Sequence, residues 1–194
     1  MPWLITEPKQ YPIIDEITKQ SDRGAAVIAV AMLEKHLMTA IKSRLIIKNK
    51  YAQDIGEELC GEGRALGSLI PRIHAGFLLG IYRETVHSDL LKLALIRNNF
   101  AHRTTPLNFE HRAIKRLCKE LHVVKNIVQP EMLGLETPKP SDWTLDKICK
   151  VVETLSMRDR FIRTIQHIIT ILVSQALPSY QRPTIPMFSP LDSP

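Results

Sequence analysis

A chain of 194 residues, 44% hydrophobic and 24% charged, can build and fill one core, which excludes disorder throughout and a collagen-like fibre. Lys and Arg number 26 against 20 Asp and Glu. The resulting +6 permits an acidic or nucleic-acid partner and requires neither.

The first segment, residues 1–12, reads as an arm punctuated by Pro2, Pro8 and Pro12, with no basic start and apolar run of the signal-peptide kind. A long helix is predicted from about Arg23 to Ile47, with Ser21 or Asp22 as its cap. Ala25, Ile28, Ala29, Met32, Leu33, Leu37, Ala40 and Ile41 recur along it at three- and four-residue steps and mark one buried face. A short helix over Ala52 to Leu59 ends at Gly61 and Gly63. Ser68 is placed to cap a third helix reaching Tyr82, with Pro71 in its first turn and Leu69, Ile70, Ile73, Phe77 and Ile81 inward. Val86 to Ala101 forms a fourth, carrying Leu90, Leu93, Ala94 and Phe100 inward, and Asn108 caps a fifth to about Val124.

Pro130, Pro138 and Pro140 mark a link over residues 129–141. A sixth helix starts at Ser141 or Thr144 and runs to Leu155, and a seventh spans Arg158 to Leu177. Five of the 13 prolines fall in residues 178–194, which read as a disordered tail. The expectation is an all-α protein: one bundle of six or seven helices over residues 13–177. The apolar stretch Ile165 to Val173 falls short of the roughly 20 residues of a membrane span. Cys60, Cys118 and Cys149 share no metal-ligand spacing and make no even disulfide set, so neither a metal nor another cofactor is expected and a reducing, cytoplasmic setting is.

Chemistry is concentrated in Arg97-Asn98-Asn99-Phe100-Ala101-His102. Arginine offers a fixed fork of donors to phosphate oxygens, and histidine moves a proton near neutral pH. Residues five apart on an ideal helix point about 140° apart. Arg97 and His102 therefore converge only if the helix loosens near Phe100 or a second copy completes the pair, which makes a homodimer the expected assembly. The structural alternative has Asn98 bridging within the bundle and His102 satisfying a terminal carbonyl.

Residues 97–125 hold seven basic residues, among them Arg103, Arg112 and Arg116, against two acidic ones. Most of the chain's excess charge lies there, and such a patch attracts a phosphate backbone unless it is only a solvated face. The glycine-rich Cys60 to Ser68, with Gly67 and Ser68 before a helix, lacks the Lys-Ser/Thr of a phosphate loop and reads as a tight turn. The helix pair around it carries too few polar side chains to read a DNA groove. Asp22-Arg23 is explained by capping alone.

Taken in order, Ser21-Asp22-Arg23-Gly24-Ala25-Ala26, Leu66-Gly67-Ser68-Leu69-Ile70-Pro71-Arg72-Ile73, Phe77-Leu78-Leu79-Gly80-Ile81 and Leu95-Ile96-Arg97-Asn98-Asn99-Phe100-Ala101-His102 resemble the mannitol-repressor-like (MltR) family. The likeness runs from about Ser21 to Phe109, with Arg160-Phe161 in addition. It implies a helical cytoplasmic protein engaged in transcriptional repression of sugar-alcohol utilisation. With no base-reading element in the sequence, such a regulator is expected to act through a protein partner.

The Arg-Asn-x-x-x-His pattern is also similar to the HEPN superfamily of helical bundles, some of which are metal-independent ribonucleases and others binding modules. That similarity implies a HEPN-like core, with Arg97 and His102 as the cleaving pair and Asn98 as polar support. The enzyme and the non-enzymatic regulator both remain open from the sequence.

Overall fold

The computed structural model describes residues 16–127 and 145–177, and all regular structure among them is helical. The arm over 1–12, the link over 129–141 with its candidate caps, and the tail over 178–194 lie outside the described residues. After helical residues 16–19 come α1 (Asp22–Lys42), α2 (Lys50–Cys60), α3 (Leu69–Leu78), α4 (Glu84–His102) and α5 (Arg112–Lys119). A 3-10 turn (Val123–Ile127), α6 (Leu145–Thr154) and α7 (Met157–Ala176) complete the order.

The caps explain most of the boundaries. Ser21 accepts from the Gly24 amide at the start of α1, Asn49 from Ala52 at the start of α2, and Ser156 from Asp159 at the start of α7. α1 stops at Lys42, five residues before the expected Ile47: past Ser43 the amides of Arg44 and Leu45 tighten onto the carbonyls three residues back, Ile41 and Lys42, while the Ser43 hydroxyl donates to the Ala40 carbonyl. α3 stops at Leu78 rather than Tyr82. Gly80 then adopts a φ of +65°, which turns the chain, and the Tyr82 hydroxyl donates to the Ile73 carbonyl at 2.7 Å. α5 begins three residues later than expected because His111, not Asn108, supplies the capping acceptor, to the Ala113 amide.

α1 is the axis of the bundle. Ala25, Ala26, Ala29, Val30, Leu33, Leu37, Ala40 and Ile41 are all at or below 1% exposure. Its small residues let α7 approach closely, and α4 and α3 pack on its other sides. By length and composition α1 would suffice to cross a membrane, but here most of its apolar residues are turned into the bundle. Phe109 packs, with tilted rings, between Phe100 of α4 and Phe161 of α7, with ring centroids 5.0 and 5.2 Å away. The predicted inward set holds except on α3, where Ile70 and Phe77 are 39% and 38% exposed. That helix shows the core only a narrow stripe, Leu69, Ile73 and Gly76.

Candidate functional site

α4 is unbroken through Phe100 to His102, so the loosening that would swing Arg97 towards His102 does not occur. The two residues lie about 140° apart around one regular helix. Arg97 is half-buried, and its Nη1 donates to Asn98 Oδ1 at 3.0 Å. Among the described residues it has no carboxylate partner. His102 is exposed and its ring makes no hydrogen bond or ion pair among the described residues. It does not cap the helix either. The Arg103 amide takes the Asn99 carbonyl, and the Arg103 carbonyl is taken by Arg23. Asn99, on the same outward stripe, donates to the Leu95 carbonyl, and Leu95 itself is 50% exposed. Within one chain, then, α4 presents a solvated imidazole and, on a different face, a tethered guanidinium.

The basic excess is arranged on α5. Ile114, Leu117 and Cys118 face the core, and Arg112, Arg116 and Lys119 follow one another at four- and three-residue steps on the outer side. With Glu110, His111 and Lys115 they border an open concavity of about 710 Å³. Lys115 is paired with Glu110 at 2.6 Å and Arg116 more loosely with Glu120 at 3.7 Å, both in solvent. Arg112 and Lys119 make no such pair among the described residues. Arg103 is exposed on the loop after α4. This face attracts an anion; nothing in it discriminates one base from another.

Asp22 and Arg23 do far more than cap, which overturns the local reading of that pair. The Arg23 guanidinium donates to the carbonyls of Arg103 and Thr105 at 2.8 and 3.0 Å. Asp22 Oδ2 accepts from the Phe109 amide, and its Oδ1 from Arg158 at 2.9 Å. Arg158 donates in turn to the carbonyls of Ile17, Thr18 and Gln20. The loop leaving α4 is thereby tied to the starts of α1 and α7. The sequence held one hint of Arg158: a basic residue in the first turn of a helix opposes the helix dipole and needs another reason to be there.

The Gly67-Ser68 segment is a closed turn, in keeping with its reading as packing rather than a phosphate loop. Arg72, half-buried, donates to the carbonyls of Leu66 and Gly67 and to Glu34 of α1 at 2.7 Å. It belongs to the fold and not to an outward-facing surface of that helix pair. Ser68 sits at the cap position of α3 but makes no capping hydrogen bond.

One constellation escaped the sequence reading. Asp89 is fully buried on α4, and its Oδ2 accepts from the amides of His122 and Val123, both at 2.7 Å. Lys92 reaches Oδ1 at 3.2 Å, and the His122 ring lies 3.3 Å from the same oxygen. A carboxylate on an otherwise apolar helix face was the available signal. Cys118 is buried against the core, which pushes its thiol up to about 12 and leaves it unreactive.

No family model matches the sequence. No curated protein matches it either. Three chains of solved structures match, among them one from the X-ray structure of the MtlR-HPr complex from Escherichia coli. That likeness has a TM-score of 0.61 at 17% identity and covers 86% of this chain and 99% of the other. The chain therefore has an MtlR-like fold over nearly the whole of its neighbour.

Proposed function

We propose that this chain is a non-enzymatic regulator of the mannitol-repressor-like kind, acting through a protein partner rather than by reading DNA bases. The observation that carries the reading is the shared fold with a chain crystallised as a complex with HPr. The ordered motifs from Ser21 to His102 support it independently. So does the separation of Arg97 from His102 around an unbroken α4, which leaves one chain without a cleaving pair. In this reading the partner is an HPr-type protein, the protein works in the cytoplasm, and its downstream effect is repression of sugar-alcohol utilisation genes.

The test is calorimetric titration of the purified chain with HPr from the same source, alongside a DNA mobility-shift assay. Saturable HPr binding without a sequence-selective shift by the chain alone is expected. Selective duplex binding by the chain alone, with no HPr binding, overturns the reading.

A second reading is favoured by the unbonded imidazole of His102 and the outer face of Arg112, Arg116 and Lys119. It is an RNA-binding module whose Arg97 and His102 act as a pair across a homodimer. Its catalytic form requires RNA cleavage by the wild type that His102→Ala abolishes. Equal cleavage by both proteins, or none by either, removes it.

A further inference from the structure

On the opposite side of α4 from the Asp89 network, the elbow between α3 and α4 brings two histidines together. His74 Nδ1 on α3 lies 3.0 Å from His87 Nε2 on α4. The elbow is held rigidly. Tyr82 packs against Gly76, where an added Cβ would lie 2.5 Å from its hydroxyl oxygen, and that hydroxyl is bonded to Ile73. The Phe77 ring lies 4.9 Å from that of His87 and helps fix its plane. His74 is exposed and His87 half-buried, so solvent reaches the pair. Among the described residues no group of three or more His, Cys, Asp or Glu is placed to hold a metal ion, here or elsewhere, so the two imidazoles are the whole of the protein's ligand set.

We propose that His74 and His87 form a two-histidine chelate for a borderline-soft divalent transition-metal ion of the copper(II) or nickel(II) kind. Imidazole nitrogens bind such ions at about 2.0–2.1 Å. Two nitrogens 3.0 Å apart then subtend about 95° at the metal. This is the cis angle of square-planar and octahedral coordination. A tetrahedral zinc would need the pair to open by about 0.3 Å. In the metal-free protein one imidazole N–H donates to the other ring. An ion bound by both nitrogens lies about 1.4 Å to the side of the N···N line, so each ring turns its lone pair towards it and the N–H proton moves to the other nitrogen of its ring. Waters fill the remaining positions. Glu84, one turn before His87, places negative charge where it favours the cation. The hard cations magnesium and calcium, which seek oxygen ligands, are not expected to bind.

The experiment is titration of the chelator-treated full chain with copper(II) and nickel(II) at pH 7.5, by calorimetry, with electron paramagnetic resonance of the copper form. One equivalent binding through two imidazole nitrogens is expected. His74→Ala and His87→Ala should each weaken it at least about tenfold and leave one nitrogen in the spectrum. His74 is exposed, so the thermal midpoint of metal-free His74→Ala should match that of the wild type and separate lost ligation from lost folding. Absence of binding, or unchanged affinity in folded His74→Ala, overturns the proposal.

Discussion

A methyl group at position 67 would lie 2.8 Å from the Gly61 carbonyl oxygen and 2.9 Å from both Arg64 O and Gly63 N. All three are backbone atoms of the turn that Arg72 closes, so no side chain can swing aside to make room. Ser68, next along the chain, is exposed and its hydroxyl caps nothing. Gly67→Ala should therefore destabilise by about 1–3 kcal/mol through overpacking. Ser68→Ala should stay within about 0.5 kcal/mol of wild type. Equilibrium denaturation with urea of the two variants checks both. A loss at Ser68→Ala with none at Gly67→Ala would mean that the Leu66-Gly67-Ser68 motif has a role in the hydroxyl and not in the close backbone approach.

At the level of elements, the helices and their inner faces were legible because apolar residues recur at the helical period, and α1 is the clearest case. The turns between them were less so. α5 was expected to open at Asn108, a common capping residue, yet the chain there answers to Asp22 and Arg23, more than 80 positions earlier. No local pattern carries that. Asp89 is a further long-range tie. It joins α4 to the 3-10 turn by accepting two backbone amides in a site with no exposure. Asp89→Ala leaves both donors orphaned and Lys92 without its carboxylate, so a loss of about 3–5 kcal/mol is expected. Hydrogen exchange should show Val123 and its neighbours in the turn opening first. A smaller loss spread evenly over the bundle would show that the turn is held by its apolar contacts to α7 instead. The candidate site was half legible for the same reason. The Arg97-to-His102 string is visible in the sequence, but where each side chain points depends on whether α4 stays regular, which only the packed helix decides.

For the molecule as a whole, the arginine and aspartate ties bind the bundle at its ends, and α1 and α7 bury one against the other along their length. α7 carries His167 into this packing. Its Nδ1 is buried and makes no hydrogen bond among the described residues, and burial lowers its pKa below the ordinary 6.5. His87 is lowered as well, first by desolvation and then by the neighbouring His74, with Glu84 opposing. A histidine with a lowered folded-state value binds its proton more readily in the unfolded chain. Its stabilising effect is complete above pH 6.5 and is lost as the pH falls through the folded-state value. The folded protein should therefore weaken on acidification from about pH 6.5 downward, before the carboxylates begin to titrate near pH 4. His167→Leu removes both the titration and the orphaned nitrogen. At pH 8 it should lie within about 1 kcal/mol of wild type, since replacing an unbonded buried polar group by an apolar one is close to neutral. At pH 5 it should be the more stable of the two. Urea denaturation of both proteins at pH 8 and pH 5 decides this. An identical loss on acidification would place the acid sensitivity in the His74–His87 elbow rather than in the packing of α7.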